Sequence, residues 1–271
     1  EVNNENKIFW KGEPIARLKK GHDYLSPEIE IIADDSLNED SKFKLFTFLS
    51  NWMVDHINTV LGDLIKLTKH KIKNQYLRGL LFQLYENNGV IKRKDVDKIV
   101  KLIPVEERKK LWGMGVKIGR YHIYLPKMLK PKAVEFRINL WKIYYNLSDK
   151  NKIPKSGLNF LEDKKFEKNF LLLCGFEKFR EFFVRIDILE KLFLKIIEAT
   201  KDKKFKVSSE MMNLLGCSKE NFYKLMTYMD YKKDKTLDTY VFKGEKKKKE
   251  KIIRFDKKEN PFNKLLSLNI K

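Results

Sequence analysis

The sequence predicts a mainly α chain: a helical bundle with an inserted short β hairpin or turn, followed by a small α+β module. Three observations carry that expectation. From residue 41 to 69, apolar side chains recur at three-to-four-residue spacing, as one wide helix face requires. In the middle, GVKIGRYHIYLPKMLKP (residues 115–131) is a rigid, partly basic segment that bears aromatics. In the last third, two short amphipathic stretches flank a tight Gly-Cys-Ser turn at 216–218.

Residues 1–35 read as a non-helical arm. Trp10, Gly12 and Pro14 mark a turn, Ile15–Leu18 suits a short strand, and Gly21 with Pro27 breaks the chain before Ile29–Ile32. Residues 36–182 form a helical domain. Ser41 is expected to cap a helix reaching Lys69, with Leu45, Phe48, Leu49, Trp52, Met53 and their successors to Leu67 on its buried face. A second helix over Tyr76–Tyr85 ends at Asn87, Asn88 and Gly89, residues suited to a left-handed terminus. Two shorter helices, Lys94–Leu102 and Val105–Trp112, are too short to persist unless packed. The Gly-rich turn spans 113–131, where Gly115 and Gly119 permit tight backbone and Pro131 closes the segment before a helix over Lys132–Tyr145. Residues 146–157 are a loop, 158–182 carry Phe and Leu without a clear period, and no internal repeat is evident.

Residues 183–271 have their own pattern. A helix over Val184–Thr200 precedes a short helix capped by Ser208 or Ser209 and ended by Gly216, then a third capped by Ser218. Tyr231–Lys233 and Ile252–Phe255 follow as extended runs, joined by a loop that carries Lys246, Lys247, Lys248 and Lys249. This is the outline of a winged-helix-like domain with a basic wing, the lysines near its tip. Residues 243–258 hold nine Lys plus Arg against three Asp plus Glu.

The formal net charge of +21 favours polyanions, either nucleic acid or anionic lipid. Lysine outnumbers arginine 49 to 9, however, so part of that charge reflects compositional bias. Cys174 and Cys217 are too few and too scattered for a disulfide framework, which points to a reducing, cytoplasmic setting. No apolar run is long enough to insert in a membrane, and the first residues lack the shape of a signal peptide. The chain does not begin with Met, so it reads as processed, trimmed or part of something longer. Phosphate-loop, zinc-protease, nucleophile-elbow and Cys-x-x-Cys motifs are missing, so no catalytic residue, metal ligand or cofactor is assigned within these residues.

The candidate contacts are therefore for nucleic acid. Arg120, Tyr121, His122 and Tyr124 make an aromatic-basic cluster that could stack a base and hold its phosphate, with Lys127 and Lys130 beyond. The alternative is that the two tyrosines only anchor a hairpin. Lys219, Lys224, Lys232 and Lys233 are candidate phosphate or groove contacts, with Lys246–Lys249 on the wing. The helix over 218–229 has no Arg, so the bidentate guanine contact is missing and sequence-specific reading is disfavoured. Partners consistent with this pattern are single-stranded RNA or DNA, or a protein that docks on a basic scaffold.

Several pieces, in order, carry a resemblance: WKGEPIARLKKG (10–21), HINTVLGDLIKL (56–67), RGLLFQLYENNGVI (78–91), GVKIGRYHIYLPKMLKP (115–131), FVRIDILEKL (183–192) and SSEMMNLLGCSKENFYKLMTYMDY (208–231). Together they resemble the C-terminal accessory region of alphaproteobacterial superfamily-two helicases, themselves similar to the mitochondrial degradosome RNA helicase. The resemblance implies two RecA-like motor domains, in cis or in trans, that use ATP and Mg²⁺ and hydrolyse ATP. It also implies a helical region that packs on the motor and completes the channel for the strand. The motor's phosphate-binding lysine and acidic motif are not in these residues, so no ATPase role is carried over.

Overall fold

The computed structural model describes residues 6–32, 37–147, 152–162, 168–234 and 238–242. They form a mixed α/β fold of helices and small antiparallel three-stranded sheets, none of which closes into a barrel. The β content exceeds expectation. The N-terminal arm is a sheet of β1 (Lys7–Trp10), β2 (Glu13–Asp23) and β3 (Ser26–Ile31) in that order, so strands extend well past Ile15–Leu18. Short alternating runs such as ARLKK bury Ala16 and Leu18 on one face and turn Lys19 outward, the two-residue period of a half-buried strand.

Helix α1 (Glu39–Lys69) begins earlier than Ser41 suggests. Asn38 is the cap: its side-chain oxygen accepts from the Ser41 amide at 2.9 Å, which places Ser41 inside the first turn. Leu49, Met53, Ile57, Leu61, Leu64 and Leu67 are buried along one stripe, and each such side chain contributes roughly 1.5–3 kcal/mol of transfer free energy. Phe48, expected on that stripe, is 66% exposed, as are Phe43 (70%) and Trp10 (63%). The first turns of α1 project beyond the core that covers the rest.

Then follow α2 (Gln75–Glu86), β4 (Val90–Lys92), α3 (Arg93–Leu102), α4 (Val105–Gly113), β5 (Lys117–Ile118) and β6 (His122–Tyr124). Asn88 and Gly89 take positive φ (57° and 82°) after α2, the left-handed ending the sequence suggests. The Gly-rich segment supplies β5 and β6, then a 3-10 turn over Pro126–Leu129 and α5 (Pro131–Tyr145). Residues 158–182, without a clear period, hold β7 (Phe160–Glu162), α6 (Lys168–Leu173) and β8 (Phe176–Phe179), which sheet with β9 (Phe182–Arg185) in the order β7-β9-β8. The boundary expected at 183 therefore falls inside a central strand.

The chain continues through α7 (Ile186–Ala199), β10 (Lys204–Lys206), α8 (Ser209–Leu215), α9 (Lys219–Tyr228), β11 (Tyr231–Lys233) and β12 (Thr239–Phe242). Ser208 and Ser218 cap α8 and α9, and Gly216 ends α8 at φ 68°. β11 pairs antiparallel with β12, Tyr231 opposite Phe242, so the strand that partners Tyr231–Lys233 is Thr239–Phe242. Ile252–Phe255 and Lys246–Lys249 lie outside the described residues, and the string follows the return strand in sequence.

One order occurs twice. α2-β4-α3-α4-β5-β6 has its strands in the spatial order β4-β6-β5, and α7-β10-α8-α9-β11-β12 has β10-β12-β11. No repeat was evident from the sequence; the two copies share element order and strand order. Two main cores match the two copies: one joins the N-terminal sheet with α1 to α5, the other joins β9 and α7 with the elements through β12.

Candidate nucleic-acid interface

The two copies meet at the turn between β5 and β6. Glu190, on α7 and only 7% exposed, reaches the other copy and accepts three consecutive main-chain N–H groups: Arg120 at 2.6 Å, Tyr121 at 2.8 Å and His122 at 2.9 Å. A carboxylate holding three donors is a strong, charge-assisted clamp. Gly119 makes room for it, since a Cβ there would run into the Glu190 carboxylate. Arg93, at the start of α3, donates to the Gly119 carbonyl at 2.7 Å and holds the turn from the other side.

His122 is 1% exposed. Its Nε2 lies 2.9 Å from Glu177 of β8, and its Nδ1 lies 3.8 Å from Glu190. Lys92 of β4 pairs with the same Glu177. Burial pushes the imidazole pKa down, but the hydrogen bond to Glu177 and the charges of Glu177 and Glu190 outweigh it, and the net direction is upward from 6.5. Burial pushes both carboxyls up, yet the bonds from His122 and Lys92 hold Glu177 below 4.5, and the three turn amides with the His122 charge hold Glu190 below 4.5.

Around this joint runs an open groove of three adjoining cavities, and Arg120 lines all three. The largest, about 680 Å³, holds Lys92, Arg93, Lys94, Lys101 and Arg120 against Asp97, Glu177 and Asp230. Lys117 and Lys191 line the second and Lys203 the third. Phe179, Phe193 and Phe242 supply aromatic surface beside these cations. The Arg120 guanidinium sits 5.8 Å from the Phe193 ring centroid. A basic track with aromatics set beside it is the composition that binds single strands through phosphate contact and stacking.

Of the predicted site residues, Arg120 is exposed at the centre of this groove. Its neighbours serve the joint. Tyr124 is 5% exposed, and Tyr121 packs edge-on against Phe179 and Phe193 with its hydroxyl bonded to Tyr231. Tyr124 and His122 are buried and expose no ring face, while Tyr121 is half-buried at the edge of the groove. Lys127 pairs with Asp63 of α1 at 3.0 Å, and Lys130 is exposed at the start of α5; neither lines the groove.

The contacts proposed on α9 are compromised by carboxylates. Glu162 accepts from Asn221 at 2.8 Å, Glu181 accepts from Tyr228 at 2.8 Å, and Asp238 binds both Tyr223 and Lys219. Lys219 and Lys233 both sit over the Tyr223 ring, while Lys224 and Lys232 are exposed. An acidic fringe of this kind repels phosphate, so α9 is poorly suited to enter a groove of duplex DNA.

Glu190, Glu177, Lys92, Arg93 and Phe193 were not singled out from the sequence. Pairing across 68 to 70 residues leaves no local pattern. One signal was present: in a lysine-dominated chain the rare arginines mark directional contacts. Arg93, Arg137, Arg180 and Arg185 all make them, to Gly119, Asn88, Tyr228 and Asp187 respectively.

Burial pushes the Cys174 thiol up to about 12 and the Cys217 thiol up to about 11, which makes both poor nucleophiles. Among the described residues, no group of three or more His, Cys, Asp or Glu is placed to hold a metal ion, and no helix is long and apolar enough to cross a membrane. No protein-family model matches this chain, and no curated protein or solved structure is significantly similar to it.

Proposed function

We propose that this chain is a nucleic-acid-guiding region that holds a single strand of RNA or DNA in the groove around Arg120. The observation that carries the reading is the track of exposed cations Lys94, Lys101, Lys117, Arg120, Lys191 and Lys203 beside Phe179, Phe193 and Phe242 at the meeting of the two repeated units. Each unit's helix-strand-helix-helix-strand-strand order, with the last strand between the other two, fits a winged helix. On this reading the joint between the modules is the binding surface, and the second module's α9 packs against its own chain. The resemblance to helicase accessory regions supplies the role: an ATP-dependent motor advances the strand, and this region steers it.

The exposed apolar face of Trp10, Phe43 and Phe48 favours attachment of this region to another protein surface, as the motor and scaffold readings both require. A stand-alone RNA-binding protein is the remaining alternative.

The test is binding of labelled single-stranded and duplex RNA and DNA across a salt series. Single strands are expected to bind with a steep negative salt slope. Arg120→Ala is expected to weaken binding about tenfold and to flatten the slope by about 0.7, the share of one phosphate contact on a single strand. Binding that survives Arg120→Ala but collapses when Lys246–Lys249 are changed to Gln would move the path out of the groove. Absence of binding at low salt would end the nucleic-acid reading.

A further inference from the structure

We propose that occupancy of this groove is proton-linked through His122: the imidazolium form favours a bound strand, and loss of its proton weakens binding. The proposal rests on the nucleic-acid reading of the groove and adds its regulation.

The argument is geometric. His122 is sealed beneath the groove, one ring nitrogen against Glu177 and the other toward Glu190. Among the described residues its Nδ1 has no hydrogen-bond partner, and at 3.8 Å the Glu190 contact acts through charge. Every packed element contributes charge here: Lys92 from β4, Arg93 from α3, Arg120 from the turn, Glu177 from β8 and Glu190 from α7. Asp97 and Asp230 stand further along the groove.

With His122 charged, the set Lys92, His122, Glu177 and Glu190 is neutral. Without the proton it carries one net negative charge directly under the phosphate track. The same loss removes the positive charge that faces Glu190 at 3.8 Å, and Glu190 fixes the backbone from which the Arg120 side chain projects. His122 is thus a positioning residue that also sets the local potential. One unit charge at roughly 10 Å in a partly solvated groove corresponds to a three- to tenfold change in affinity for a polyanion. By linkage, a bound strand must raise the proton affinity of His122 by the same factor.

The test uses the full chain with fluorescein-labelled oligo(U) and oligo(dT), titrated from pH 6 to 9 at constant ionic strength. Wild-type affinity is expected to fall about three- to tenfold more than that of His122→Gln over this range. His22, His56 and His70 remain in both proteins, so their titration cancels in the comparison. Where His122→Gln does not fold, the imidazole resonances of the wild type are followed with and without oligo(U). The His122 pKa is expected to rise by about half to one pH unit on binding. Parallel pH profiles, or a His122 pKa that ignores the ligand, overturn the proton linkage and leave the groove assignment standing. Loss of binding at every pH in low salt overturns both.

Discussion

Arg137→Ala is expected to lower the free energy of unfolding by about 4 kcal/mol. Arg137 lies on α5, is 2% exposed, and donates to three main-chain carbonyls: Asn88 after α2, Met128 of the 3-10 turn at 3.5 Å, and Leu173 at the end of α6 at 2.6 Å. These groups belong to three separate segments of the chain. Truncation would leave buried carbonyls without donors and a void where the largest fully buried side chain stood. Arg137→Lys would keep the charge but lose the fork, and should recover less than half of the loss. Denaturant unfolding of the three proteins measures this. A cost below about 1 kcal/mol for the alanine variant would mean that water replaces the guanidinium and the staple is dispensable.

Glu190→Ala is expected to cost about 3 kcal/mol and to change how stability depends on pH. Three amides lose their acceptor together, and the His122 ring loses a nearby carboxylate charge. The sign follows from each group. The Glu177 and Glu190 carboxyls are held below 4.5 in the folded chain, so their contribution is present above that value and is lost as pH falls through the lower folded one. His122 is raised above 6.5, so its contribution is complete below 6.5 and is lost as pH rises through the higher folded value. The joint is therefore tightest from about pH 4.5 to 6.5 and weakens on both sides. Thermal melts from pH 3 to 9 should show this dome in the wild type and a flatter curve in Glu190→Ala. Gly119→Ala should resemble Glu190→Ala, because its methyl displaces the carboxylate while every charge is kept. A Gly119→Ala protein with wild-type melts would show that Glu190 can clamp the turn from another position.

Much of the helical framework was legible in the residues. The α2 ending at Asn88-Gly89, the caps at Ser208 and Ser218 and the left-handed Gly216 all follow from local chemistry. The N-terminal sheet was only half legible, because β2 runs through Gly21 where a Cβ would collide with the Ser26 carbonyl. That glycine reads as a breaker when it is in fact a close-approach site. Tyr231–Lys233 pairs with Thr239–Phe242, a strand no more hydrophobic in appearance than Ile252–Phe255, so sequence alone did not single it out as the partner. At the candidate site, the basic-aromatic run singles out Arg120, which is exposed. The burial of His122 and Tyr124 comes from non-local partners, which leave no trace in a short window.

The three amides held by Glu190 have a kinetic meaning as well. They are protected by a side chain 68 to 70 residues away, in the other repeated unit. Most strand and helix amides of each unit are satisfied inside that unit and become labile only when it unfolds. Arg120, Tyr121 and His122 become labile as soon as the units part, even if both remain folded. In hydrogen exchange these positions should therefore open with a smaller free energy than Ile123, their buried neighbour in β6, and the difference would report the docking of one half of the molecule on the other. It follows that the groove is the last feature to assemble, since closing so long a loop comes after each half has its own core.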